Sequence, residues 1–116
     1  MRMKQIAVFV ACAALLLPCM AFAHAHLLSS TPAATATVHG PVVAIELRFN
    51  SRVDGHHSVL SLVTNNGSVA LTIDNQSADN NLNAHARLTP GSYTLRWQAL
   101  STDGHITRGE IPFTVR

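Results

Sequence analysis

Apolar residues at every second position are the feature that most limits how this chain can fold. In the run 42–50 the apolar side chains share one face, whereas Glu46 and Arg48 fall on the other, as expected of a half-buried strand. The same period recurs at 93–99 and 110–115, and no amphipathic helix of convincing length follows residue 23. The chain is therefore predicted to be all-β. The aromatic residues expected in its core are Phe49, Trp97 and Phe113.

Turn signals separate the apolar runs at intervals typical of a sandwich or barrel. Asn65-Asn66-Gly67 lies between two such runs and predicts a hairpin, while the polar stretch 74–83 is interpreted as a loop. Pro112 lacks a backbone donor, which predicts an edge strand or a bulge at that point. About seven short strands are expected, in a small antiparallel Greek-key sandwich or barrel.

The first 23 residues have the organisation of an export signal. Arg2 and Lys4 precede a run of 12 apolar residues at 6–17, and Ala21-Phe22-Ala23 fits the Ala-x-Ala cleavage pattern. A membrane-spanning helix needs about 20 apolar residues, so a permanent anchor is disfavoured. The sequence predicts a cleaved signal peptide at 1–23 and one domain at 24–116. A second cut, before His26, fits the same pattern, and the pattern does not choose between them.

Composition after the predicted cut favours a metal site and disfavours other partners. Both cysteines and all three methionines lie in the leader, which leaves no disulfide and no sulfur ligand in 24–116. The six arginines of this part are balanced by six carboxylates, so no basic patch is expected to bind nucleic acid. All seven histidines lie after residue 23, and neutral imidazole is a common ligand of zinc, copper and nickel.

Two places in the sequence supply candidate metal ligands. A cut after Ala23 gives His24 a free α-amine beside its imidazole. An unperturbed α-amine titrates near pH 8 and an unperturbed imidazole near 6.5, so both kinds of group can lose a proton to a strongly bound metal at about neutral pH. Asp103-Gly104-His105 is by itself a hairpin-turn signal. Its spacing also puts a carboxylate and an imidazole on the same side of an extended segment. Mixed nitrogen and oxygen donors suit Cu(II).

The other histidines have competing interpretations. A free terminus with His26 at the third position can wrap Cu(II) or Ni(II) through its amine, two backbone amides and an imidazole, without any folded domain. His56 and His57 are expected in a polar loop, because neighbouring residues of a strand would point to opposite faces. His39 and His85 have no partner nearby in sequence and are predicted to be surface residues.

Several segments, in their order along the chain, carry a resemblance to a known family. They are His24-Ala25-His26-Leu27-Leu28-Ser29-Ser30-Thr31-Pro32, Leu47-Arg48-Phe49-Asn50-Ser51, Leu88-Thr89-Pro90-Gly91-Ser92-Tyr93-Thr94-Leu95-Arg96-Trp97, Ser101-x-Asp103-Gly104-His105 to Gly109, and Phe113-Thr114-Val115. The chain resembles the CopC family of periplasmic copper-binding proteins over its whole mature length. That resemblance implies a cupredoxin-like, immunoglobulin-like sandwich or barrel. It also implies one Cu(II) per mature chain, bound by His24 through its amine and ring, by Asp103 and by His105.

The resemblance also implies a function. It indicates a periplasmic copper carrier or buffer in copper resistance or homeostasis, a monomer that hands copper to an inner-membrane copper transport protein. Some family members bind Cu(I) through a methionine-rich loop, but 24–116 contains no methionine, so Cu(II) binding alone is predicted. An enzyme is not expected, since the chain has no Gly-x-Ser-x-Gly elbow and no cysteine after the leader. The alternative is an immunoglobulin-like interaction module with incidental histidines.

Overall fold

The computed structural model describes residues 24–116, and the predicted signal peptide lies outside the described residues. Within 24–116 no helix is long and apolar enough to span a membrane. The elements of this part are eight strands: β1 (Leu27–Thr31), β2 (Thr37–Val38), β3 (Val42–Phe49), β4 (Val59–Thr64), β5 (Gly67–Leu71), β6 (Asn81–Arg87), β7 (Gly91–Leu100) and β8 (Ile106–Val115).

The strands form two sheets, in the orders β1-β3-β6 and β2-β8-β7-β4-β5. Every pair of neighbouring strands is antiparallel except β2 and β8, which run parallel. The all-β sandwich predicted from the sequence is therefore confirmed. The expected number of about seven strands omits β2, a two-residue strand in a stretch of small residues that has no alternation of its own.

One core lies between the two sheets. Strand β3 alternates as expected: Val43, Ile45, Leu47 and Phe49 are buried, and the residues between them are exposed or half-buried. The Phe49 ring contacts the Trp97 ring of the opposite sheet edge to face, at a centroid distance of 5.3 Å. Burial of Phe49, Trp97 and Phe113 agrees with their predicted core positions. Apolar burial of this kind is the main force that holds two sheets together.

Two strand boundaries differ from those that the sequence predicts. Strand β6 begins at Asn81, inside the stretch interpreted as a loop, and Asn81 is buried because the segment pairs with β3. Strand β8 begins at Ile106 and not near residue 110, and its first five residues have no buried member. The apolar alternation of β6 rests on Leu82 and the small residues Ala84 and Ala86, so its start is easily missed among asparagines. The start of β8 shows no apolar alternation, and pairing with β7 decides its conformation.

The hairpin predicted at Asn65-Asn66-Gly67 is confirmed. Thr64 pairs with Gly67 across a two-residue turn at Asn65-Asn66, with the positive φ of +117° on Gly67, which lacks the Cβ that disfavours it. Pro112 pairs with Thr94 of β7, whereas on its other side β2 reaches only Thr114 and Val115. Although β8 is not the outermost strand of its sheet, Pro112 lies outside the stretch that pairs with β2, and its carbonyl accepts there from the Thr35 amide at 2.6 Å. The missing N–H of Pro112 therefore breaks no pairing between strands.

Candidate metal centre

The three residues proposed as ligands lie together at one end of the sandwich. One donor atom from each of His24, Asp103 and His105 can be chosen so that all three lie within 4.8 Å of one another, and this is the one such group found in residues 24–116. Their side chains are 47%, 26% and 60% exposed, respectively. The rings of His24 and His105 lie 4.1 Å apart, centroid to centroid, with a tilt of 45°. The cluster is thus open to solvent.

The turn between β7 and β8 positions two of the three side chains. The Ser101 amide donates to the His105 carbonyl at 2.9 Å, and the Gly104 amide donates to the Ser101 carbonyl at 3.0 Å. Gly104 has a φ of +87°, a conformation that glycine adopts without strain. The hairpin interpretation of Asp103-Gly104-His105 is therefore correct, and the same turn brings the carboxylate and the imidazole together.

Asp103 is held by hydrogen bonds from its own turn. Its Oδ1 accepts from the Ser101 hydroxyl and, at 3.1 Å, from the His105 amide, while its Oδ2 lies 2.7 Å from His105 Nδ1. A carboxylate only accepts, so the proton of neutral His105 lies on Nδ1 and Nε2 keeps its lone pair. The Ser101 hydroxyl is the largest influence in lowering the pKa of Asp103 from 3.8 to about 2, and contacts with His105 add to it.

Replacing Ser101 with alanine is expected to raise the pKa of Asp103 towards 3.8, because the largest stabilising contact of the carboxylate is lost. Since the folded-state pKa is the lower one, ionised Asp103 favours the folded state above pH 3.8, and this contribution is lost as the pH falls towards 2. A carboxyl-carbon NMR titration measures the change. Ser29→Ala, in exposed β1, is the control, and an unchanged pKa in Ser101→Ala would contradict the assignment.

The segment before β1 brings His24 to the turn. Ala25 is fully buried, and its carbonyl accepts a hydrogen bond of 2.9 Å from the Thr107 hydroxyl at the start of β8. His26 is held on the other side, where its amide donates to Asn50 Oδ1 at 2.8 Å and its carbonyl accepts from the Asn50 amide at 3.0 Å. His24 Nδ1 consequently lies 3.9 Å from Asp103 Oδ2, although 78 residues separate them in sequence.

The donor set and spacing fit a tetragonal or tetrahedral divalent ion. Ligands that bind one ion at about 2.0–2.2 Å lie up to about 4.4 Å apart, so rotations of exposed side chains suffice to bring the three donors into range. Two imidazoles and a carboxylate are the mixed nitrogen and oxygen ligands that Cu(II) accepts. In the unprocessed chain of 116 residues the main-chain nitrogen of His24 is a peptide nitrogen, and only cleavage after Ala23 would add it as a donor.

The structure opposes the competing chelate built on His26 alone. That arrangement requires deprotonated backbone nitrogens of Ala25 and His26 in the coordination plane. The His26 amide is occupied by Asn50, and Ala25 is buried against the sheet. Wrapping a metal in this way would therefore require the segment to leave its place beside β3 and β8.

The remaining histidines lie outside this cluster. All of them are exposed, as the surface interpretation of His39 and His85 and the polar-loop interpretation of His56 and His57 require. Two have carboxylate partners that the sequence did not reveal: His57 Nδ1 lies 2.7 Å from Asp54 Oδ2, and His85 Nδ1 lies 2.7 Å from Asp74 Oδ2. The role of Ser101 was missed as well, although a serine two residues before an aspartate in a turn is a usable signal.

Comparisons with known proteins show the family to which the sequence of this chain is similar. A family model described as the CopC domain matches residues 27–116. Protein YobA of Escherichia coli K12 is 33% identical, over 82% of this chain and 81% of YobA. The copper transport protein CutJ of Bacillus subtilis is 27% identical over 85% of this chain, but the match covers only 19% of CutJ.

Solved structures show the same architecture. CopC from Methylosinus trichosporium OB3b superimposes with a TM-score of 0.70 at 29% identity, over 79% of this chain and 93% of that protein. PcoC from Escherichia coli, described as a methionine-rich copper resistance protein, superimposes with a TM-score of 0.66 at 25% identity, over 81% of this chain and all of PcoC.

Proposed function

This chain belongs to the CopC family, and on that premise we propose that it is a periplasmic Cu(II)-binding protein that carries or buffers copper in copper resistance or homeostasis. The observation that supports the proposal most directly is the convergence of His24, Asp103 and His105 at one end of the sandwich. In the mature protein His24 would bind one ion through both its α-amine and its ring. Asp103 and His105 would supply the other protein donors.

The chemistry of the available donors favours Cu(II) over Cu(I). Residues 24–116 contain neither cysteine nor methionine, so this part of the chain has no soft sulfur ligand of the kind that Cu(I) prefers. PcoC is described as methionine-rich, and this chain differs from it in that respect. We therefore expect the chain to bind Cu(II) without a comparable Cu(I) site.

The exposure of the cluster suits a carrier or buffer, which has to receive and release its ion. Here the ligand side chains are 26% to 60% exposed, which lets an incoming ligand reach a bound ion. We propose that the protein is a monomer and passes its ion by ligand exchange. The proposed recipient is an inner-membrane copper transport protein, in keeping with the similarity to part of CutJ.

A Cu(II) competition titration of the exported protein tests this function. Loss of a hydrogen-bond partner behind a metal ligand lowers metal affinity about 10–100-fold, so loss of the ligand in His105→Ala is expected to lower it at least about 100-fold. Asp103→Ala should change the Cu(II) spectrum, whereas His26→Ala should leave both affinity and spectrum unchanged. No binding by correctly processed protein would overturn the proposal and favour an interaction module. If His26→Ala loses Cu(II) binding while Asp103→Ala and His105→Ala keep it, the result would favour the three-residue terminal chelate.

A further inference from the structure

A second group of donors lies around a small cleft formed by the loop after Val53 and the segment after β5. Gly55, His56, Asp74 and Gln76 line this cleft, whose volume is about 60 Å³. Gly55 allows the two segments to approach closely, because a Cβ at that position would lie 3.0 Å from the Gln76 side-chain amide. None of these residues belongs to the cluster at His24, Asp103 and His105.

Gln76 presents an oxygen to the cleft in a fixed orientation. Its Nε2 lies 3.1 Å from the Val53 carbonyl and 2.9 Å from the Asn81 carbonyl. Because carbonyls only accept, these contacts identify the nitrogen and determine which way the amide faces. The amide oxygen is consequently on the opposite side, facing Gly55.

Asp74 is held by the ring of His85. The 2.7 Å contact between Asp74 Oδ2 and His85 Nδ1 has the same length as the contact between Asp103 Oδ2 and His105 Nδ1. It engages one carboxylate oxygen of Asp74 and leaves the lone pairs of the other available to a cation. Carboxylate ligands of metal ions are commonly oriented by hydrogen bonds of this kind.

From this arrangement we infer a second, weaker site for a divalent transition metal, with the His56 imidazole, the Asp74 carboxylate and the Gln76 amide oxygen as ligands and His85 as the residue that positions Asp74. One nitrogen and two oxygens, completed by water, form a donor set that Cu(II), Zn(II) and Ni(II) all accept. The site does not depend on the proposed function, because it shares no residue with the His24 cluster.

The second site is less preorganised than the first. The backbone of His56 is held by its amide, which donates to Asp54 Oδ1 at 2.9 Å, while no hydrogen bond among residues 24–116 fixes its ring, so rotation of that ring would close the site. His56 is exposed, and rotation of an exposed side chain is rapid and meets little resistance. The second ion should accordingly bind only after the first site is filled, or in a variant that lacks the first site.

Paramagnetic broadening by Cu(II) locates the second ion. In the His105→Ala protein, expressed as the whole chain, added Cu(II) is expected to broaden the amide NMR signals of Gly55 and Asn75. His56→Asn in that background should weaken this binding at least about tenfold, and His85→Asn should weaken it towards the lower end of a 10–100-fold range. His39→Asn replaces another exposed histidine, away from the cleft, and should have no effect.

The outcome distinguishes Cu(II) binding at the cleft from nonspecific binding of Cu(II) to exposed histidines. Broadening at the cleft that is lost in His56→Asn and Asp74→Asn, and kept in His39→Asn, would support the site. Broadening that does not involve the cleft, that survives in His56→Asn, or that falls equally in His39→Asn would overturn it. The replaced side chains are exposed or, for Asp74, half-buried, and unchanged signals elsewhere in the spectrum show that each variant is folded.

Discussion

Protein that begins at His24 is expected to bind Cu(II) at least about 100-fold more tightly than protein that keeps one extra alanine before His24. Loss of a hydrogen-bond partner of a metal ligand already lowers metal affinity about 10–100-fold, and loss of a ligand should lower it at least as much. The extra residue turns the α-amine of His24 into a peptide nitrogen. It thereby removes one donor and the six-membered chelate that this donor forms with the ring nitrogen Nδ1. Intact mass identifies the first residue, and competition with a chelator of known affinity measures the difference.

An alanine added after Arg116 is the matched control, because it has the same composition and leaves the terminus at His24 free. Equal Cu(II) affinity in the protein with the extra alanine before His24 and in this control would show that the α-amine of His24 is not a ligand. Affinity should also fall in both proteins as the pH is lowered, because protons then compete with Cu(II) for the ligands. That fall should be steeper in the protein whose α-amine belongs to His24, because this amine has to lose its proton when it binds the metal.

Gly109→Ala is expected to destabilise the fold by about 1–3 kcal/mol, the usual cost of overpacking a core. Gly109 pairs with Trp97 across β7 and β8, and a Cβ on Gly109 would lie 2.6 Å from three atoms of the Trp97 ring. The indole cannot easily yield, because Trp97 is 7% exposed and its other side contacts Phe49. Each kcal/mol lost should lower the melting temperature by roughly 4–8 °C in a domain of this size.

Thermal unfolding followed by the fluorescence of the single tryptophan measures this change, and the emission of the folded variant should itself shift. Gly67→Ala is the comparison. A Cβ there meets no atom within 4 Å, so its cost comes only from the backbone φ of +117° and the tryptophan emission should stay as in the parent protein. An unchanged melting temperature in Gly109→Ala would contradict the prediction and would mean that the Trp97 ring or the strand moves enough to accommodate the added methyl group.

The all-β fold could be predicted because its core strands carry their own signal. Strand β3 buries every second side chain, and the Asn65-Asn66-Gly67 turn sets the pairing of the next two strands. The start of β8 could not be predicted in this way. No side chain among its first five residues is fully buried, and the segment is a strand because β7 lies beside it. The family assignment confirms the resemblance that the ordered motifs indicated.

The candidate site was predicted in a different manner. The turn at Asp103 and His105 could be inferred from local spacing, but only the family resemblance connected it to His24, because no local pattern reports a contact between residues so far apart. The pairing of Asp74 with His85 was missed for the same reason. Asp74 lies in a stretch without periodicity, and its contact depends on the path of the chain between β5 and β6.

The position of His24 beside the last hairpin gives copper a consequence for protein lifetime. An ion bound to both His24 and His105 would close a loop of about 80 residues in a domain that has no cysteine to form a disulfide. A permanent cross-link over such a loop restricts the unfolded chain by up to about 4.5 kcal/mol in entropy models, and a metal supplies the same restriction only while it is bound. The copper-free protein would therefore be expected to open more often, and to be cleaved by proteases sooner, than the protein with an ion bound to both histidines.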